Sequence, residues 1–172
     1  MINRDFVVSL DGLKAGRTAF GWHSDGKFFG GFENSEILDA DLSVDATVEK
    51  SGKYIGVDCS MRGTVTVACD RCLSDLELPV ETEFKLSVKF GQEGGASAEG
   101  EREIVMLPEG DAELDLSQTV YDYVCLSLPM QRVHPEGECD PEVVKYLGTE
   151  DDAVRDLAEP AANPFSSLKN LF

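Results

Sequence analysis

From Leu76 to Phe90 apolar and polar residues alternate with a period of two. Leu76, Leu78, Val80, Phe84, Leu86, Val88 and Phe90 take the even positions, interrupted only by Thr82, while Glu77, Glu81, Glu83, Lys85 and Lys89 take odd ones. This predicts a long strand with one buried and one wet face. Pro79 has no N–H to give to a ladder and marks an edge or a bulge. Leu42, Val44, Ala46 and Val48 alternate with Asp41, Ser43, Asp45, Thr47 and Glu49 in the same way. Tyr54–Cys59 and Gly63–Cys69 read as two further strands, with Ser51-Gly52 as a turn. Short turns predict an antiparallel meander, because parallel neighbours need long crossovers. Ile104–Leu107 reads as an added strand, and Gly91–Gly100 (GQEGGASAEG) as a flexible loop.

A helical period starts only afterwards. Leu116, Val120, Val124 and Leu128 recur every fourth residue, with Asp115 or Ser117 placed to cap the start and Pro129 to stop the helix. A loop, Pro129–Pro141, precedes a short helical stretch, Glu142–Leu147. Asn163-Pro164 opens a last segment with Phe165, Leu168, Leu171 and Phe172 on one face; a helix that short is marginal alone and must dock. The organisation expected is a single sheet domain over 1–147, an acidic linker over 148–162 and a C-terminal docking segment over 163–172. The fold class expected is α+β: an antiparallel twisted sheet, or a partly closed barrel-like meander, with helices gathered C-terminally.

Charge narrows the function. The 172 residues carry 33 acidic and 15 basic side chains, a net charge of −18. A field of that sign repels phosphate backbones and attracts basic partners, which excludes non-specific coating of DNA or RNA. Met1–Leu13 lacks the charged leader and long apolar stretch of a secretory signal, and no apolar run is long enough to span a membrane. The expectation is a cytoplasmic chain. No Gly-rich phosphate loop and no nucleophile elbow occurs, and the carboxylates scatter over wet strand faces, so a non-enzyme is expected.

The sharpest chemistry is Cys69-Asp70-Arg71-Cys72, set where one strand turns into the next. Two thiolates at that spacing can converge on one ion, and His134 and Cys139 are the candidates to complete a closed, structural Cys3His set. Three readings stand: one structural zinc, inert reduced thiols, or a redox pair. The last is disfavoured because thioredoxin-like pairs sit at a helix N-terminus, whereas both flanks here read as strands. Cys59 and Cys125 lie on apolar faces and belong to the core. Arg71 is either a solvated tip residue or a contact to phosphate or carboxylate.

Three islands carry a likeness. They are Val67-Ala68-Cys69-Asp70-Arg71-Cys72-Leu73, then Leu126-Ser127-Leu128-Pro129 followed by His134 and Cys139, then Asn163-Pro164-Phe165 with Leu168-Lys169. In this order the chain resembles the bacterial YceD-type family, named for accumulation of large-subunit ribosomal RNA. The resemblance implies a role in making or stabilising 23S rRNA during assembly of the large ribosomal subunit. It also strengthens the metal reading for Cys69, Cys72, His134 and Cys139. Where the family carries an acidic helix before Leu128, this chain has Asp122 alone. The residues expected to meet a partner are Arg71, Asp122, Asn163, Pro164, Phe165 and Leu168. A basic ribosomal protein or assembly factor suits the charge; direct RNA contact through Arg71, Lys85 and Lys89, or a zinc- or thiol-dependent switch, are the alternatives.

Overall fold

The computed structural model describes residues 6–52, 54–91 and 102–147. The segments expected as a flexible loop (but for its first residue), an acidic linker and a C-terminal docking helix lie outside the described residues, as do Asn163, Pro164, Phe165 and Leu168. The elements run β1 (Val7–Ser9), β2 (Gly16–Asp25), α1 (Gly26–Phe29), β3 (Ile37–Ser51), β4 (Tyr54–Ala68), β5 (Asp75–Phe90), β6 (Glu103–Leu107), β7 (Glu113–Asp115), α2 (Ser117–Ser127) and α3 (Pro141–Val144).

The α+β expectation holds. A five-stranded sheet has the order β2-β3-β4-β5-β6, and β1 pairs with β7 in a small second sheet. The four strands β2 to β5 form the antiparallel meander, in register Ala46↔Cys59↔Phe84 at its centre. Three expectations are corrected. The sheet stays open and does not close into a barrel. Its last pair, β5 with β6, is parallel, with Leu86 opposite Glu103 and Phe90 opposite Leu107; residues 91–102 supply the crossover length that a parallel pair requires. Helices are not confined to the C-terminal part, since α1 lies between β2 and β3.

Tyr54–Cys59 and Gly63–Cys69 are one continuous strand. Gly63 holds φ +151, and a Cβ there would strike the Asp41 carbonyl, so the glycine admits a close approach of β3 instead of ending β4. A register shift between Ile37 and Asp39 places Leu38 in a bulge at the same end of the sheet as the β4–β5 turn.

The core lies on one face of the meander, where Leu42, Val44, Val57, Met61, Val65 and Leu86 are all but fully buried. Helix α2 lays Val120 and Val124 on this face, and Tyr123 meets the Phe84 ring at 4.9 Å. Neither Asp115 nor Ser117 is the N-cap of α2: Leu116 takes that position without a side-chain cap, and Asp115, one residue earlier, accepts from Ser117 N–H at 2.8 Å. An aromatic chain fills the N-terminal side: Phe6 meets Phe28 at 4.7 Å, Phe28 meets Phe32 at 5.2 Å, and Phe32 stacks on Tyr121 at 4.0 Å. These rings tie α1 to α2, and each fully buried one contributes about 1.5–3 kcal/mol of transfer free energy.

Candidate metal centre

The β4–β5 connection is a tight turn. Cys69 N–H donates to the Ser74 carbonyl at 2.9 Å and Leu73 N–H to the Cys69 carbonyl at 2.9 Å. Closing it forces Leu73 into the left-handed region at φ 61. Both cysteine side chains turn inward and are buried, while Arg71 is exposed at the tip.

The second half of the site comes from the loop after α2. Asp70 N–H donates to the Arg132 carbonyl at 2.7 Å, and Arg132 N–H donates back to the Asp70 carboxylate at 2.7 Å. The Arg132 guanidinium, four-fifths buried, reaches Glu36 at 2.6 Å and Asp70 at 3.7 Å. This clamp stitches the start of β3, the hairpin turn and the loop together. It lays residue 132 beside residue 70, and with the same offset of 62 it lays His134 beside Cys72. The loop then turns at Gly137, in the left-handed region, to return Cys139, and the Asp140 carboxylate caps α3 by accepting from Glu142 N–H. That helix has four residues, shorter than the Glu142–Leu147 stretch expected.

The result brings all four candidate ligands together. The sulfurs of Cys69, Cys72 and Cys139 and one imidazole nitrogen of His134 lie within 4.8 Å of one another. Cys69 Sγ is 3.9 Å from Cys139 Sγ, and His134 Nδ1 is 3.4 Å from Cys72 Sγ and 3.9 Å from Cys139 Sγ. A tetrahedron with metal–sulfur bonds near 2.3 Å has edges of about 3.8 Å, so the donors are spaced to hold one metal ion. Imidazole Nε2 faces the Asp75 carbonyl at 3.0 Å. A carbonyl only accepts, so Nε2 carries the proton and Nδ1 presents its lone pair to the sulfurs, the tautomer that ligation needs.

The electrostatics favour the ligating form at two of the four donors. Burial by itself would raise the Cys69 thiol, but the backbone N–H groups of Cys72, Arg71 and His134, aided by the Cys72 thiol, outweigh it and bring the pKa down to about 6. Cys72 is lowered by the N–H groups of Asp140 and Ser74. Amides converging on two sulfurs favour thiolates, the ligating form. Cys139 is raised, first by burial and then by the sulfurs of Cys72 and Cys69. A third thiolate is disfavoured there until a cation offsets the first two. His134 is raised, chiefly by its Cys69 partner. Cys59 is set apart: it lies in the sheet core, and burial, with Asp45 second, pushes its thiol up to about 12.

The other expected site residues lie apart. Asp122 is exposed on α2 and accepts from Gln118 at 2.8 Å. Lys85 lies opposite Asp58 on the wet face, about 30 Å of strand away from the turn that carries Arg71. Sequence reasoning missed Asp70, Arg132 and Glu36, whose clamp sets the register of the loop. The signal was present in part: Asp70 lies inside the cysteine pair and Arg132 two residues before His134.

The order of the two cysteine-bearing islands matches the geometry, and residues 57–172 match the family described as "Large ribosomal RNA subunit accumulation protein YceD". The chain belongs to the YceD family. That family's name implies involvement in large-subunit ribosomal RNA accumulation, and its description is that of an accumulation factor, not of an enzyme. No curated protein and no solved structure matches the chain. Among the described residues, no helix is long and apolar enough to cross a membrane.

Proposed function

We propose that this protein is a non-enzymatic cytoplasmic factor that supports 23S rRNA synthesis, processing or stability during large-subunit assembly. It acts as an acidic adaptor that grips a strongly basic protein and shields it until rRNA competes it away. One zinc ion, held by Cys69, Cys72, His134 and Cys139, braces the hairpin. The set has no open coordination position, so the ion is structural. Zinc suits a donor set of soft thiolates with one imidazole better than calcium or magnesium, which take oxygen ligands.

The observation that carries the adaptor reading is the disposition of charge. The net charge is −18. Many of the cations present are already engaged: Arg17 pairs with Glu49, Arg62 with Glu81, Arg102 with Asp58, Arg132 with Glu36, and Lys145 with Glu142. Holding naked rRNA by counterion release requires clustered cations facing outward. Complementary fields speed encounter with a cationic protein and weaken with salt.

The test is binding of the purified chain to proteins stripped from large ribosomal subunits and, separately, to a 23S rRNA fragment, at about 50 mM and about 500 mM salt. The expected result is salt-sensitive binding to basic proteins and none to the RNA. RNA binding that weakens when Arg71 and Lys85 are reversed would replace this reading with direct recognition.

A further inference from the structure

We infer that the cationic partner seats a bulky apolar side chain in a groove beside the metal centre, between the start of β3 and the end of α2. This deepens the adaptor reading and rests on it. The groove measures about 360 Å³ and is lined by Ile37, Tyr121, Cys125, Leu128 and Met130, with Glu36 and Arg132 at its polar side.

Two observations mark this end of the molecule as made for contact. First, large apolar side chains are exposed here without a folding reason. Met130 is 103% exposed, Leu126 78% and Leu73 76%, and Leu38 protrudes from the bulge. Of these, Met130 lines the groove itself, and exposed apolar surface beside a groove marks an interaction site. Second, Leu73 occupies the left-handed conformation, which glycine or asparagine takes at less cost. Neither its backbone nor the core calls for leucine at that position.

Charge selects the occupant. The net charge is −18, Asp122 on α2 and Glu136, Glu138 and Asp140 on the loop after it are exposed, and the cation that lines the groove, Arg132, is taken up by Glu36 and Asp70. A second copy of the chain would bring the same negative charge, and anionic lipid or RNA would be repelled. A Lys- or Arg-rich protein segment with one aliphatic or aromatic anchor satisfies both the apolar groove and the negative charge of the chain.

The experiment places a photoreactive benzoylphenylalanine at Met130 and, in a second full-length chain, at Tyr54. Tyr54 is exposed at the far end of β4, about 45 Å of strand from the turn that carries Leu73. Each is irradiated at low salt with proteins stripped from large ribosomal subunits and a 23S rRNA fragment, and the adducts are identified by mass spectrometry. The expected adducts join position 130, and not position 54, to a basic protein. Met130→Asp, with metal content unchanged, and Leu73→Asp should each weaken that protein's binding by about tenfold. Equal adducts from both positions, affinity indifferent to both substitutions, or adducts from position 130 to a second copy or to residues 163–172 would overturn the inference while leaving the adaptor reading standing; adducts from position 130 to RNA would overturn both. Failure of the unsubstituted chain to bind any basic protein at low salt would overturn both.

Discussion

The middle of the meander and its clip end are held by different physics. In the middle, residues adjacent in register bury apolar side chains: Ala46, Cys59 and Phe84 line up across three strands. No single contact there is indispensable. At the clip end the burial of Ile37, Val67 and Leu76 is joined by four donors and an Asp70–Arg132 clamp drawn from segments 62 to 70 residues apart. Burial energy is spread over many contacts and degrades gradually, whereas a coordination site is complete or lost. Damage to the middle should therefore lower global stability without releasing metal, and damage to the clip should release metal while the sheet stands.

The largest loss of stability is expected at the aromatic chain. Phe29→Ala, at a fully buried ring that meets Phe28 at 5.0 Å and Tyr121 at 6.1 Å, should cost about 3–5 kcal/mol in denaturant unfolding, with metal stoichiometry unchanged. Next is the alkaline response of the core thiol. The Cys59 pKa is raised in the fold from 9.0 to about 12, so the folded state holds the proton more tightly than the unfolded chain. The stability this contributes is complete below pH 9 and is lost as pH rises towards 12. Thermal melts across that window should show the loss, and Cys59→Val should flatten it.

A smaller effect is expected at the clamp. Asp70→Ala removes the carboxylate that accepts from Arg132 N–H. It should cost about 1–3 kcal/mol and raise amide exchange in residues 129–140 without altering β3 and β4. Unchanged exchange in that loop would show that the ligands alone set its position. The smallest effect is a gain: Leu73→Asn relieves the left-handed leucine and should stabilise the fold by about 1 kcal/mol.

Legibility in the sequence divides along the same line. The β5 alternation was readable because most of one face is buried, so the apolar period breaks only at Thr82, although Phe90 at its end is exposed and Ser87 on the other face is buried. β2 was not: as an edge strand with half-exposed Phe20 and Trp22 it has little contrast between faces. α1 is four residues long and leaves no period, and Gly63 looked like a strand break because its role is a contact with β3. The direction of β6 depends on a crossover that no local pattern encodes. At the clip, residue chemistry named the four ligands, because cysteine and histidine are few. The clamp stayed hidden because Asp and Arg are common, and only the constant offset of the loop against the turn gives the pair meaning.

The central claim is that the clip is a metal centre. Elemental analysis of the full chain purified without chelator, alongside its Cys69→Ser variant, tests it most directly. One zinc per chain, lost in Cys69→Ser while the sheet's circular dichroism is retained, is the predicted result. A folded chain with all cysteines reduced and no bound metal would contradict it.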